Sequence, residues 1–360
     1  MQVDLVSSAS EHEYSEFVNR CPTALVQHTM AWRQVVADLG VDTPVYLVAR
    51  VDGAVIGALP AFLYKGELGN LMLSVPQAGG YGGVVVDQNS PYKEEVYAAL
   101  LSRLVTEAEE RECLCVTVCT PPFFGDLALY RKHFRNDFEQ ENFFQYLELD
   151  AVTNGSQQPS LELRENIRRN IKKAQSYNLI VTNEDSAHRF RDWYHVYEKR
   201  MRQINAEAIP RSLFEGIREH VLTEGYGFFL YVLDGGNVIG GGVFVGLNQV
   251  VDYFMGSSDP DQMEKQPGSL LMYEAIKYAT ERGYRYWNWQ SSSSRQSPVY
   301  FYKLGWGSRE GLHYYLTKAT GDISTLRKTP LAIIREKYRW HYVMPFEEFE
   351  ERRSAGNTNE

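Results

Sequence analysis

The sequence predicts two tandem, homologous α/β domains, and three observations carry the prediction. The first is a repeated hairpin. Residues 45–63 read VYLVARVDGAVIGALPAFL, and residues 228–246 read FFLYVLDGGNVIGGGVFVG. The second is that each copy is followed by another strand and then by a helix with apolar residues at helical spacing. The third is length, since 360 residues hold about two domains with a core each. One large mixed sheet with accidental similarity is the alternative.

In chain order, the first hairpin turns at VDG and the second at LDGGN, where Asp-Gly and Gly-Gly supply positive φ cheaply. The helices that follow are YKEEVYAALLSRLVTEAEER and SLLMYEAIKYATERG, and they feed the apolar strands LCVTV and YRYWNW. Between the copies lies SLELRENIRRNIKKAQSYNL. Here Arg164, Arg168, Lys172 and Gln175 follow one helical stripe, and Ile167, Ile171 and Ala174 another. Glu162 and Glu165 fall in its expected first turn, where the helix dipole favours negative charge. This helix is either a solvated amphipathic connector or an anion-binding face. A last helix opens at Pro330, with Leu331, Ile334 and Tyr338 on one face. It either packs on the first domain or rests at a membrane interface through Lys337, Arg339, Trp340 and Tyr342. The expected boundaries are 1–155, 156–325 and 326–360, the tail SAGNTNE being expected to be disordered.

Composition narrows the function. The net charge of −9 gives no general attraction to phosphate backbones or anionic lipid, although a local basic groove stays open. MQVDLVSSASEHEYSEF lacks the basic region and apolar core of a signal peptide, and no apolar run is long enough to span a bilayer. The expectation is a cytoplasmic protein, at the inner membrane face if the last helix meets lipid. Of the cysteines, Cys113, Cys115 and Cys119 in CLCVTVC alternate on one strand face and read as reduced core residues rather than metal ligands. The histidines are scattered without metal spacing, so no metal is expected.

Several motifs together resemble a known family. They are HTMAWRQVV around Trp32, SVPQAGGYGGVVVD, RENIRRNIKKAQSYNL, VYEKRMRQINAEAIPRSLF, PGSLLMYEAIKYATERGYRYWNW and SPVYFYKLGWG. Their order and spacing over about residues 17–317 are similar to the Fem-type (FemAB-like) aminoacyltransferases and the double-GNAT acyltransferase superfamily. The resemblance implies an α/β (α+β) fold of two tandem GNAT-like domains, each a mixed, mostly antiparallel sheet flanked by helices. The family's best-known members transfer an amino acid from aminoacyl-tRNA to an amino group of a peptidoglycan precursor. Others are known only as acetyltransferases.

Carried onto this chain, the family's conserved lysine falls on Lys303, with Tyr300, Tyr302 and Trp306 beside it. Many relatives have an acidic residue where this chain reads NWQ, so Asn288, Gln290 and Ser291 replace a carboxylate base. The pyrophosphate loop is poorly kept, with Gly268 and Ser269 alone resembling its end. Acyl transfer to an amine needs a neutral amine, an aligned carbonyl and donors for the oxyanion. No Ser-His-Asp or Cys-His constellation is evident, so the acceptor is expected to attack directly.

The expected catalytic set is Lys303 as electrostatic stabiliser, Tyr302 or Tyr300 as proton donor, and Asp252 in VVDYFMGSS as either a base or a paired carboxylate. Substrate contacts are expected from Tyr253, Ser257, Gln290, Ser291, Arg295 and Trp306 in the second domain, and from Trp32, Tyr81 and Gly82 in the first. Arg168, Arg169 and Arg202 would hold anionic groups, with Arg200 more readily a salt-bridging residue. No tightly bound cofactor is expected beyond a donor, either aminoacyl-tRNA or acetyl-CoA. The expected partner is a cell-envelope glycan or a nucleotide- or lipid-linked precursor. Two alternatives remain, an acetyl-CoA-dependent GNAT acting on an amino-sugar nucleotide and a degenerate glycan-binding or scaffold protein.

Overall fold

The structure is a computed structural model that describes residues 1–74, 80–149 and 162–349. Two compact units divide the chain, Met1–Asn142 with Leu312–Glu360, and Phe143–Gly311.

Unit 1 opens with β1 (Gln2–Leu5), α1 (Glu11–Arg20) and α2 (Met30–Asp38). The expected hairpin is β2 (Asp42–Val51) and β3 (Ala54–Gly66). Asp52 and Gly53 close it at φ of 50° and 83°, the left-handed pair that a two-residue turn requires. β4 (Gly69–Ser74), β5 (Val85–Val86), α3 (Lys93–Glu110), β6 (Cys113–Cys119) and α4 (Leu127–Phe134) follow. Helix α3 lays Val96, Leu100, Leu101 and Leu104 on the sheet in one core with Leu47, Leu59 and Val116. β7 (Phe138–Glu148) then carries the chain into unit 2.

Unit 2 contains α5 (Glu165–Ser176), β8 (Ile180–Thr182), α6 (Ala187–Gln203) and α7 (Arg211–Gly216). β9 (Gly227–Asp234), β10 (Asn237–Leu247), β11 (Val250–Ser258), α8 (Pro267–Glu281), β12 (Tyr286–Asn288) and α9 (Pro298–Leu304) complete it. One sheet face is covered by α5 and α8, where Ile167, Ile171, Ala275 and Ile276 meet Phe228, Phe244 and Trp287. On the other face α6 brings Trp193 against Phe229 and Phe214. Gly241 permits that approach, because a Cβ there would lie 2.8 Å from the Trp193 ring.

The two units share one topology. The orders are β1-β2-β3-β4-β6 and β8-β9-β10-β11-β12, antiparallel except for the parallel pairs β4–β6 and β11–β12. Each sheet is therefore mixed and mostly antiparallel. The strand that closes each unit comes from the other half of the chain. β7 pairs Tyr146–Glu148 with β12, and β13 (Arg309–Ala319) pairs Tyr315–Ala319 with β6. Compact units therefore divide at 142/143 and 311/312, whereas the repeat had suggested 155/156 and 325/326. A boundary at 155/156 lies outside the described residues.

Two further expectations change. Glu162 precedes α5, leaving Glu165 as the acidic residue of its first turn. The three cysteines of β6 do not all share a face, since Cys113 is turned away from Cys115 and Cys119. Asn70 opposes Cys113 and Leu71 opposes Cys115, so one extra residue in β6 reverses the alternation. Cys113 lies in the α3 core and Cys115 in the core on the other face. After β13, α10 (Ser324–Lys328) and α11 (Leu331–Lys337) cover that second face, where Ile334 and Tyr338 pack on Leu71 and Leu73. Lys337 pairs with Glu67 at 2.7 Å, and the Tyr342 hydroxyl donates to Gln140 at 3.0 Å. No helix among the described residues is long and apolar enough to cross a membrane. SAGNTNE lies outside the described residues.

Candidate active site

β11 and β12 lie in register only at Val250–Asp252 against Tyr286–Asn288. Beyond Asp252, β11 runs on to Ser258 alongside β10 while β12 ends. The parallel pair therefore parts at its carboxyl end, and a cavity of about 550 Å³ opens there within unit 2. Ligand sites of α/β sheets commonly lie at such a split. Its walls come from the end of β11 (Tyr253, Ser257), the start of α8 (Gly268, Ser269), the end of α6 (Arg200, Met201) and α9 (Tyr302, Lys303).

Lys303 forms the polar floor. Ser297 caps α9 by accepting from the Tyr300 amide at 3.2 Å, and Pro298 pre-sets its first turn. Gln145 of β7 ties that helix down by donating to Tyr300 O at 3.1 Å. Lys303 is 4% exposed, and its ammonium donates to Gln290 O at 3.0 Å and Ser291 O at 2.8 Å. An ammonium has three donors, so one proton remains for a ligand. Gln290 sits at φ 62°, a left-handed conformation that costs a non-glycine residue about 1 kcal/mol or more. Burial lowers the Lys303 pKa to about 8.

Asn288 stands where an acid was expected, and its side chain builds the turn instead. Its Oδ1 accepts from the Gln290 amide at 3.0 Å, and its Nδ2 donates to Asp252 Oδ1 at 2.8 Å. Such a side-chain bond to the amide two residues on is the mark of an Asx turn. Asp252 is thereby a buried, hydrogen-bonded residue and is not among those lining the cavity. The alternation of β11 sends Tyr253 to the cavity and Asp252 to the other face.

Aromatic rings line the same cavity as Lys303. Trp289 meets Tyr253, Tyr302 and Trp306 with ring centroids 5.8, 6.3 and 5.9 Å apart. Burial pushes the Tyr253 pKa up to about 12. Tyr302 is raised further still, by burial first and by the nearby Tyr253 second. Both phenols are therefore protonated donors at neutral pH. The Ser257 hydroxyl, 7% exposed, has no hydrogen-bond partner among the described residues.

The first turn of α8 is a poor phosphate cradle. Pro267 has no N–H, and the Ser269 and Leu270 amides turn back onto Gln266 O at 3.1 and 3.3 Å. Among the described residues no group of three or more His, Cys, Asp or Glu side chains could hold a metal.

Residues 162–290, which span the parting strands and α8, match the model of an acetyltransferase (GNAT) domain. The fold is similar to that of the crystal structure of FemX, with 13% identity, 88% of this chain and 97% of that chain covered, and a TM-score of 0.67. It is also similar to a tandem GNAT protein from the clavulanic acid biosynthesis pathway, at 12% identity, 89% and 99% coverage, and a TM-score of 0.53. A third likeness is to the C-terminal domain of a putative lysylphosphatidylglycerol synthetase from Agrobacterium fabrum, at 10% identity, 87% and 93% coverage, and 0.56. No curated protein matches the sequence. Residues 162–290 thus form a GNAT-type domain, and the chain has a Fem-like double-GNAT fold.

Within this double-GNAT fold, Lys303, Tyr302, Tyr253, Ser257, Gly268 and Ser269 line the cavity. Gln290 and Ser291 act through their carbonyls, and Trp306 backs the Trp289 and Tyr302 rings. Others lie elsewhere. The Tyr300 hydroxyl donates to Glu310 at 3.1 Å, and Arg295 pairs with the same carboxylate at 2.7 Å. Arg168, Arg169 and Arg202 are exposed and do not line the cavity. Trp32, Tyr81 and Gly82 belong to unit 1, where Trp32 and Tyr81 are buried core residues. The Gly82 amide donates to Cys119 O at 3.1 Å. The arginine that does reach the cavity is Arg200, the one read as a salt-bridging residue. Met201, Trp289 and Val299 also line it and were not anticipated. Trp289 directly follows β12 and closes the apolar run YRYWNW, where a core position and a cavity wall look alike in sequence.

Proposed function

We propose that this protein is an acyltransferase that N-acylates an amino group of a cell-envelope glycan or peptidoglycan precursor by direct attack. The observation that supports this most is the buried Lys303 ammonium, held by two carbonyls at the floor of the cavity with a donor to spare. The neutral amine would add to the donor carbonyl, and Lys303 and Ser257 would stabilise the oxyanion. As the new C–N bond forms, the bond from acyl carbon to carrier oxygen or sulfur breaks. The amine's proton passes to the leaving group, with Tyr302 as a protonated phenol on the wall to relay it. The carrier is aminoacyl-tRNA or acyl-CoA, with the α8 turn giving little support to a pyrophosphate.

The test follows amide formation by mass spectrometry, with acetyl-CoA or alanyl-tRNA as donor. Acceptors are an amino-sugar nucleotide and a peptidoglycan precursor. Product from wild type but not from Lys303→Met is expected. No product and no calorimetric binding of either donor would leave the scaffold reading instead.

A further inference from the structure

We infer that the acyl group taken by this cavity is large and apolar, its carbonyl lying beside Ser257 and Lys303 and its chain running out over the rim. This rests on the N-acyl-transfer reading and names the class of group transferred. The lining changes character from floor to rim. The buried floor carries Lys303 and Ser257 together with Trp289, whose indole N–H also lacks a hydrogen-bond partner among the described residues. The rim carries Ile204, Met263 and Val299, which are 48%, 43% and 54% exposed. Large apolar side chains left in water are individually ordinary, but several converging on one cavity mouth mark a surface that a ligand covers.

Charge argues the same way. Arg200 and Lys303 are the cationic side chains among the residues lining the cavity, and Arg200 already donates to Gln203. Leu271 and Met272 continue the apolar wall inward at 1% and 3% exposure. An acetyl group would satisfy the floor and leave the rim in water. A longer apolar chain would cover both.

The test is calorimetric titration of the full chain with N-acylethanolamines from acetyl to decanoyl. These are uncharged amides that carry the carbonyl without any carrier. Kd is expected to tighten about fourfold per added methylene until the cavity is filled. Met263→Asp and Val299→Asp alter exposed rim positions, so both variants should melt like wild type while binding the decanoyl amide at least about tenfold more weakly. A Kd independent of chain length, or rim variants that bind as wild type does, would overturn the inference. Chain-length-dependent binding without any transferase activity would support this inference and count against the N-acyl-transfer reading. Acetyl transfer with flat chain-length dependence would do the reverse.

Discussion

Lys303→Met keeps an aliphatic stem and removes the buried ammonium. Burial lowers the native pKa from 10.5 to about 8, which corresponds to about 3 kcal/mol disfavouring the charged form. Between those values the unfolded chain binds a proton that the native chain does not, so wild-type stability rises with pH through that window. Below pH 8 both states are protonated and the full penalty is present. The Met variant escapes that penalty but leaves Gln290 O and Ser291 O without their donor, at about 1–3 kcal/mol each. Its net stability change near neutral pH is therefore small. Urea unfolding at about pH 7.5 and about pH 10 measures the effect, because titrations common to both proteins cancel in the difference. Wild type should gain about 2 kcal/mol relative to the variant over that range. A difference that does not change with pH would refute the buried, weakened ammonium. The same variant should slow transfer by about 10²–10³-fold, and that ratio should shrink above pH 8 as wild type loses its proton.

Five other substitutions separate site from scaffold. Gly82→Ala would place a Cβ 1.8 Å from Ser74 O and should lower stability by about 3 kcal/mol or more, read as a shifted urea midpoint. Arg200→Ala should raise KM for the acyl donor several-fold, whereas Arg168→Ala and Arg169→Ala should leave it unchanged in steady-state assays. Asp252→Asn should lower Tm while changing kcat less than about tenfold, since the carboxylate holds Asn288 rather than a substrate proton. In native protein all four cysteines should resist alkylation until the chain is unfolded, because they are buried and burial raises each thiol pKa.

Features that depend on near neighbours were legible in sequence. Asp52-Gly53 and Gly235-Gly236 mark their turns because positive φ is a local requirement, and they adopt it. Helices α3, α5 and α8 follow apolar spacing for the same reason, as Ile167, Ile171 and Ala174 of α5 all become buried. Lys303 was legible only through the family resemblance, since a lone lysine among tyrosines has no distinguishing pattern. The misplacements have one cause. Arg168, Arg169 and Arg202 sit on basic helices that look suited to anions, yet which arginine meets a cavity depends on where each helix ends against β11.

Local alternation, turn chemistry and helical periodicity thus determined that the chain repeats one α/β unit, because each acts within a few residues. Three features needed long-range pairing. The exchange of β7 and β13 depends on which open sheet edge each strand meets. One extra residue in β6, visible only against β4, turns Cys113 away from Cys115. The lowered pKa of Lys303 comes from its burial beside the Gln290–Ser291 turn, and that burial exists only once β11, β12 and α9 have come together.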